Sequence, residues 1–164
     1  MSSNQFLEAV SARLSAVSGD RWEVVKAEQG AGIEVMWASG QRIAMRATRE
    51  LAPASQADIQ FIGHARSDVE RLLQAIQGKA VLSPEEITWI EARCRAASPA
   101  PWRAFIEAEG GLGGCDMIQV SDQEDEPDLY LWLGPNLAPS ADFRFVASAR
   151  QDIPHLIAVL TDQR

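Results

Sequence analysis

The sequence has few of the residues that build metal centres, disulfide frameworks and catalytic triads. Among its 164 residues are two cysteines and two histidines. Cys94 and Cys115 lack CxxC spacing, so we expect reduced thiols of a cytoplasmic protein. His64 and His155 have no suitably spaced His, Asp or Glu partner, so we expect surface or boundary histidines, no metal site and no cofactor.

Targeting segments and nucleotide-binding motifs are also missing. The first residues lack a basic region followed by an apolar core, so we expect no signal peptide. No apolar run approaches the roughly 20 residues of a membrane-spanning helix. The glycine-rich residues 110–114 are not followed by a Lys or a helix start, and we interpret them as a hairpin turn. These absences favour a protein that is not an enzyme and does not enter a membrane.

Acidic residues outnumber basic residues, and the excess is unevenly distributed along the chain. The formal net charge is −8. Residues 1–80 hold nine Lys/Arg and nine Asp/Glu, whereas residues 81–164 hold six Lys/Arg and fourteen Asp/Glu. An acidic surface repels phosphate backbones and attracts basic partners. We therefore expect a basic protein partner and no direct binding of nucleic acid.

One stretch of the chain occurs twice. Residues 57–76 and 141–160 share the frame Ala-Asp-apolar-x-Phe-apolar-x-x-Ala-Arg-x-Asp, followed by apolar residues at helical spacing. Flanking matches are Ala12-Arg13 with Ala92-Arg93, Ser18 with Ser98, Trp22 with Trp102, and Leu51-Ala52-Pro53 with Leu137-Ala138-Pro139. The chain is therefore interpreted as a duplication.

Each copy predicts a helix, a three-stranded antiparallel meander and a pair of short helices. Apolar residues between Phe6 and Val17 recur at helical spacing, and alternating runs follow at 22–28, 33–37 and 41–47. In the second copy, Ser83-Pro84-Glu85-Glu86 is typical of a helix start, and residues 129–133 predict a strand. The repeated aromatic residues predict core positions, namely Trp22, Trp102, Phe61 and Phe145.

The predicted fold class is thus α+β, with two tandem pseudo-symmetric units. We place the first unit at residues 1–80 and the second, acidic unit at residues 81–164. Halves of this size bury only a marginal core alone, and each sheet has a face to cover. We therefore expect the units to pack together as one globule.

The repeated Arg-x-Asp, formed by Arg66 and Asp68 and by Arg150 and Asp152, predicts a break within each helical stretch. Pro154 supports the break because proline is typical of a first helical turn. At such a junction each Asp would accept backbone N–H groups, and each Arg would bind the last carbonyls of the preceding helix. The alternative interpretation is that the four residues form a site between the units.

An acidic segment is present only in the second copy. Five of the seven residues between positions 122 and 128 are acidic: Asp122, Glu124, Asp125, Glu126 and Asp128. Their spacing does not match a calcium-binding loop, although a divalent cation is one interpretation. The other two are a solvated loop tip and an acidic docking surface for a basic partner. We take these five residues as the candidate partner-binding residues.

The second copy resembles small uncharacterised proteins of bacterial and phage genomes. The residues that carry the resemblance are Pro101-Trp102 and the run Ala141-Asp142-Phe143-x-Phe145-Val146-Ala147-x-Ala149-Arg150-x-Asp152-Ile153-Pro154. Those proteins carry one such unit, and the resemblance implies no activity. In size and acidity the chain is also similar to the immunity proteins of bacterial toxin systems.

The sequence therefore favours a cytoplasmic protein that binds another protein. The most concrete version is an immunity or inhibitor protein that blocks a basic toxin domain by occlusion and charge complementarity. One alternative is a phage or mobile-element accessory protein that binds a host factor or imitates nucleic acid. Another is an enzyme with a site between the units near Arg66 and Arg150.

Overall fold

The computed structural model describes residues 2–19, 22–26, 33–37, 42–47, 55–110, 116–120, 128–133 and 136–163. In chain order these residues form α1 Ser3–Ala16, β1 Trp22–Lys26, β2 Ile33–Trp37, β3 Arg42–Ala47, α2 Gln56–Ile76, α3 Pro84–Ala96, β4 Arg103–Phe105, α4 Glu107–Gly110, β5 Met117–Gln119, β6 Leu129–Leu133, β7 Asn136–Leu137 and α5 Ser140–Asp162. The predicted α+β class is confirmed.

The strands of the described residues form one seven-stranded sheet in which neighbouring strands are antiparallel. The strand order is β1-β2-β3-β6-β5-β4, and β7 pairs with β6. Two runs of three consecutive strands therefore meet at β3 and β6, where Met45 lies opposite Leu131 and Ala47 opposite Leu129. The sequence did not indicate this joining of the strands into a single sheet.

The two long helices lie against the sheet. α2 contacts β1 and β2, α5 contacts β4 and β5, and α2 and α5 also contact each other. The shorter helices α1 and α3 each contact both α2 and α5. Each short helix therefore bridges the two long ones, and this arrangement creates the buried contacts described below.

Aromatic residues from the two halves of the chain meet in the core. The rings of Trp22 and Phe145 lie edge to face with centroids 5.9 Å apart, and those of Phe61 and Trp102 do the same at 5.3 Å. All four side chains are buried, as the sequence predicts. Such pairs add to the stability supplied by apolar burial.

The start of α3 is formed as its sequence predicts. The Ser83 hydroxyl accepts from the backbone N–H of Glu86, and the Glu86 carboxylate accepts from the backbone N–H of Ser83. Pro84 occupies the first turn, where its missing N–H breaks no hydrogen bond. This capping box fixes where α3 begins.

The predicted pair of short helices is wrong, because α2 and α5 are each continuous. Ser67 and Glu70 have the spacing of a capping box, which predicts a second helix start. Ser67 does not cap such a helix, because its hydroxyl donates to the carbonyl oxygen of His64 within α2 at 2.9 Å. Pro154 lies inside α5 and not at a helix start. Buried residues occur along both helices, from Asp58 to Leu73 and from Asp142 to Leu160. Packing along the whole length therefore overrides the local stop signals.

Gly63 marks a close approach of α2 to the sheet. A Cβ added at Gly63 would lie 2.1 Å from Cγ2 of Val24 on β1. The branched valine side chain has little rotamer freedom with which to move away. Glycine at this position therefore sets the distance between α2 and β1.

We predict that Gly63→Ala destabilises the protein by about 1–3 kcal/mol, the usual cost of overpacking a core. The loss should appear although alanine favours a helix over glycine by about 1 kcal/mol. Urea unfolding measures it, with Gly110→Ala as the control because an added Cβ there meets nothing within 4 Å. Equal stability of the Gly63 variant and the wild type would contradict the close packing of α2 on β1.

Candidate functional site

The aspartates of the two Arg-x-Asp pairs bind arginines on the short helices. Asp68 of α2 accepts two hydrogen bonds from Arg93 of α3, at 3.1 Å from Nε and 2.6 Å from Nη2. Asp152 of α5 accepts from Nη2 of Arg13 of α1 at 2.6 Å. Both aspartates are buried. The expectation that they cap backbone N–H groups is wrong, because both lie within continuous helices whose N–H groups serve the helices themselves.

The arginines of the same pairs bind the ends of the short helices. Arg150 donates from Nε to the Ser98 carbonyl at 2.9 Å and from Nη2 to the Ala97 carbonyl at 3.4 Å, just beyond α3. Arg66 donates to the carbonyl of Val17, the C-cap of α1, at 3.5 Å. The arginines bind the last carbonyls of a helix, as predicted. However, these carbonyls belong to a neighbouring short helix and not to a preceding helix in the same stretch. The four residues thus bind helix ends and other helices instead of each other.

Two further aspartates, which the sequence analysis did not single out, bind the turns that follow α1 and α3. Asp58 accepts from the backbone N–H of Ser98 at 2.7 Å and from its hydroxyl at 2.8 Å. Asp142 accepts from the same two groups of Ser18, with 2.8 Å for the backbone N–H. The available signal was the coincidence of a repeated Asp, in the shared frame, with a repeated Ser.

Two of these carboxylates have a raised pKa because they are buried. Burial raises the pKa of Asp142, while the hydrogen bonds from Ser18 and the charge of Arg66 act in the lowering direction. Burial likewise raises the pKa of Asp152, opposed by its hydrogen bond and charge interaction with Arg13. The desolvation of each carboxylate therefore outweighs the favourable groups around it.

Cys94 compensates for the proline inside α5. Pro154 has no N–H to donate to the Arg150 carbonyl oxygen four residues earlier. The Cys94 sulfur lies 4.0 Å from that oxygen and accepts from Nη1 of Arg150 at 3.2 Å. Burial raises the pKa of the Cys94 thiol, which keeps it protonated and able to donate. This environment favours a structural thiol over a nucleophile, since reactive cysteines have a lowered pKa.

A groove of about 600 Å³ runs between α3 and α5. Its buried lining residues are Cys94, Ala97, Arg150 and Ile157, and Arg95, Pro99 and Pro154 line it from exposed positions. The polar nitrogens of Arg150 are already bound to carbonyls and to the Cys94 sulfur. The groove therefore offers a mostly apolar surface for binding and no free charged group at its base.

Four of the predicted partner-binding residues, Asp122, Glu124, Asp125 and Glu126, lie outside the described residues. The fifth, Asp128, is half-buried just before β6. The segment that contains the four connects β5 to β6. The last residue of β5, Gln119, pairs with Arg103, the first residue of β4.

The two histidines occupy boundary or surface positions, as expected, and His155 is exposed. His64 is half-buried. Its pKa is lowered mainly by burial and, to a smaller extent, by the positive charge of Arg93. His155 stacks on Phe6 with ring centroids 4.0 Å apart. No cluster of three or more His, Cys, Asp or Glu side chains that could hold a metal ion occurs in the part of the chain that the structure describes.

Comparison with known proteins adds no family to this description. No protein-family model, curated protein or solved structure gives a significant match to the chain. Among the described residues, no helix combines the length and apolar character needed to cross a membrane. The function must therefore be inferred from the residues and contacts of this chain.

We predict that Arg93→Ala costs about 3 kcal/mol of stability, because it leaves the Asp68 carboxylate buried without its partner. The matched control is Arg71→Ala, which breaks the exposed ion pair between Arg71 and Glu86 and should have a far smaller effect. Thermal and urea unfolding compare the two variants. A similar small loss in both would mean that the Asp68–Arg93 pair stabilises no more than a surface pair.

We predict that Asp142→Asn changes the pH dependence of stability. The raised pKa means that the folded protein keeps this proton to higher pH than the unfolded chain. The stabilisation is full below the ordinary pKa of 3.8 and is lost as pH rises through the raised value. Asparagine does not titrate and can still accept from the Ser18 N–H. The stability of the wild type relative to the variant should therefore fall between acidic and neutral pH in urea titrations; a rise would contradict the assignment.

Proposed function

We propose that the chain is a cytoplasmic protein-binding protein, and specifically an immunity or inhibitor protein that neutralises a bacterial toxin by occlusion and charge complementarity. The observation that carries the proposal is the net charge of −8, located entirely in residues 81–164. Occlusion needs a surface that meets the partner quickly, and opposite charge accelerates the encounter.

The buried charges support placing this excess on the surface. The buried aspartates and the arginines that neutralise them or bind helix ends are equal in number: Asp58, Asp68, Asp142 and Asp152 with Arg13, Arg66, Arg93 and Arg150. Their charges cancel, so the whole net charge of −8 belongs to the rest of the chain. The buried groups would therefore neutralise little of the negative charge that a basic partner meets.

We also propose that residues 1–80 and 81–164 are pseudo-symmetric units in which residues of each unit contact the corresponding residues of the other. The proposal is supported by pairs of contacts between corresponding residues, such as Ser98 with Asp58 and Ser18 with Asp142. If β4, β5 and β6 are the copies of β1, β2 and β3, the strand order β1-β2-β3-β6-β5-β4 is symmetric about the pairing of β3 with β6. The resemblance to small bacterial and phage proteins with one such unit is consistent with a duplicated ancestor.

The acidic segment is the proposed centre of the partner-binding surface. It belongs to the second unit alone, so the fold does not require it. The end of β5 that precedes it pairs with the start of β4, which is close in sequence to Pro99, a residue that lines the groove. The segment would steer a basic partner, and the groove would provide apolar contact area beside it. The contacts of Arg66 and Arg150 with helix ends favour this proposal over an enzyme with those residues in its site.

We predict that neutralising Asp122, Glu124, Asp125 and Glu126 to Asn or Gln slows association with a basic partner about tenfold at low salt. The difference should shrink at physiological ionic strength, where charges are screened beyond roughly 8 Å. The partner to use is a basic toxin domain, which the proposal expects to be encoded beside this gene, with association followed by stopped-flow fluorescence and rescue of growth followed in cells.

The matched control neutralises four exposed acids elsewhere: Glu8, Glu70, Glu107 and Asp162. It changes the net charge by the same amount, so it separates a local effect of the segment from a general effect of charge. Equal on-rates for the segment variant and the control would assign the binding surface to another part of the protein. Failure of the wild type to bind or to rescue growth would reject the proposed function.

A further inference from the structure

We propose that the exposed face of α3 is a dimerisation surface that binds a second copy of this chain in an antiparallel, twofold-symmetric arrangement. The starting observation is Trp89, whose surface is 61% exposed although tryptophan is the largest apolar side chain. Val81, two residues before the Ser83 cap, is 90% exposed. Exposed tryptophan is typical of interface centres, where it contributes a large share of binding energy.

The exposed residues of α3 lie on one stripe. Glu85, Trp89, Ala92 and Ala96 follow one another at intervals of three or four residues, and Arg95 lies beside them. The opposite side of α3 packs into the core through Ile90 and Cys94. The stripe thus has Glu85 at one end, Trp89 beside Ala92 in the middle, and Arg95 with Ala96 at the other end.

The corresponding helix of the first copy lacks these features. The match of Ala92-Arg93 with Ala12-Arg13 aligns Trp89 with Ala9 and Arg95 with Ser15. Both helices bridge α2 and α5, and α1 does so without an exposed tryptophan and with Ser15 at the position of Arg95. The fold therefore does not require Trp89 or Arg95, which favours a role on the surface of α3.

The charges on the stripe select both the partner and its orientation. In an antiparallel pair of α3 helices about a twofold axis near the helix centre, Glu85 faces Arg95 of the second copy, and Trp89 faces the small Ala92. Symmetry repeats both contacts, which makes the surface self-complementary. A parallel pair would place Glu85 on Glu85 and Arg95 on Arg95. Arg95 also lies 3.8 Å from the Glu91 carboxylate of its own helix, and Glu85 of a second copy would join this exposed pair.

We expect a weak dimer with a dissociation constant on the order of 10 µM, because one helix face is at the low end of interface sizes. Sedimentation equilibrium of the full chain between about 1 and about 500 µM brackets the affinity expected for an interface of this size. Trp89→Ala, which introduces the residue of α1, should weaken the dimer at least tenfold, because each dimer loses two central contacts. A wild type that stays monomeric throughout this range overturns the proposal and would mean that Trp89 contacts a different partner.

Charge reversal tests the orientation. Glu85→Arg alone and Arg95→Glu alone should each weaken the dimer, and the two changes together should restore it, because the opposite charges face each other again. Gln5→Arg, at the position of α1 that corresponds to Glu85, is the control and should leave the dimer unchanged. Circular dichroism and melting temperature verify that each variant is folded. A dimer that persists in Trp89→Ala, or that the double charge reversal does not restore, contradicts the antiparallel α3 interface.

Discussion

The structure depends on the burial of four carboxylates that must all be satisfied by groups from other elements. Asp58, Asp68, Asp142 and Asp152 lie on the inward sides of α2 and α5. A buried carboxylate without hydrogen bonds is costly enough to unfold a protein of ordinary stability. The short helices α1 and α3 supply the arginines and the serine turns that satisfy them. Their positions on the long helices are therefore fixed by polar contacts as well as by packing.

Such contacts contribute more to a unique arrangement than to net stability, since desolvation offsets much of the attraction between buried charges. The turn after α3 illustrates the constraint. The N–H and hydroxyl of Ser98 donate to Asp58, and its carbonyl accepts from both Trp102 and Arg150. A shift of α3 by one residue would leave several of these buried groups without partners. We infer that this network selects the register of α3 against alternatives with similar apolar burial.

Local features were predictable from the sequence, and the partners of polar residues were not. The Ser83 cap, the strand at 129–133 and the burial of Trp102 follow from patterns within a few residues. The continuity of α5 does not, because the cost of Pro154 is offset by packing and by a thiol from another helix. The arginine that pairs with Asp68 is 25 residues away. Its identity depends on how α3 packs, which no local pattern encodes.

Comparing the two copies separates what the fold requires from what it leaves free. Residues that both copies retain, such as Asp58 with Asp142 and Ser18 with Ser98, are used in buried contacts. Trp89, which only the second copy carries, is instead largely exposed, and the acidic segment is likewise present only in the second copy. Stability does not explain an exposed tryptophan or a cluster of like charges, because both carry a cost in solubility or repulsion. If the proposed binding function holds, selection for binding is therefore expected to act on the second copy, while both copies contribute residues to the core.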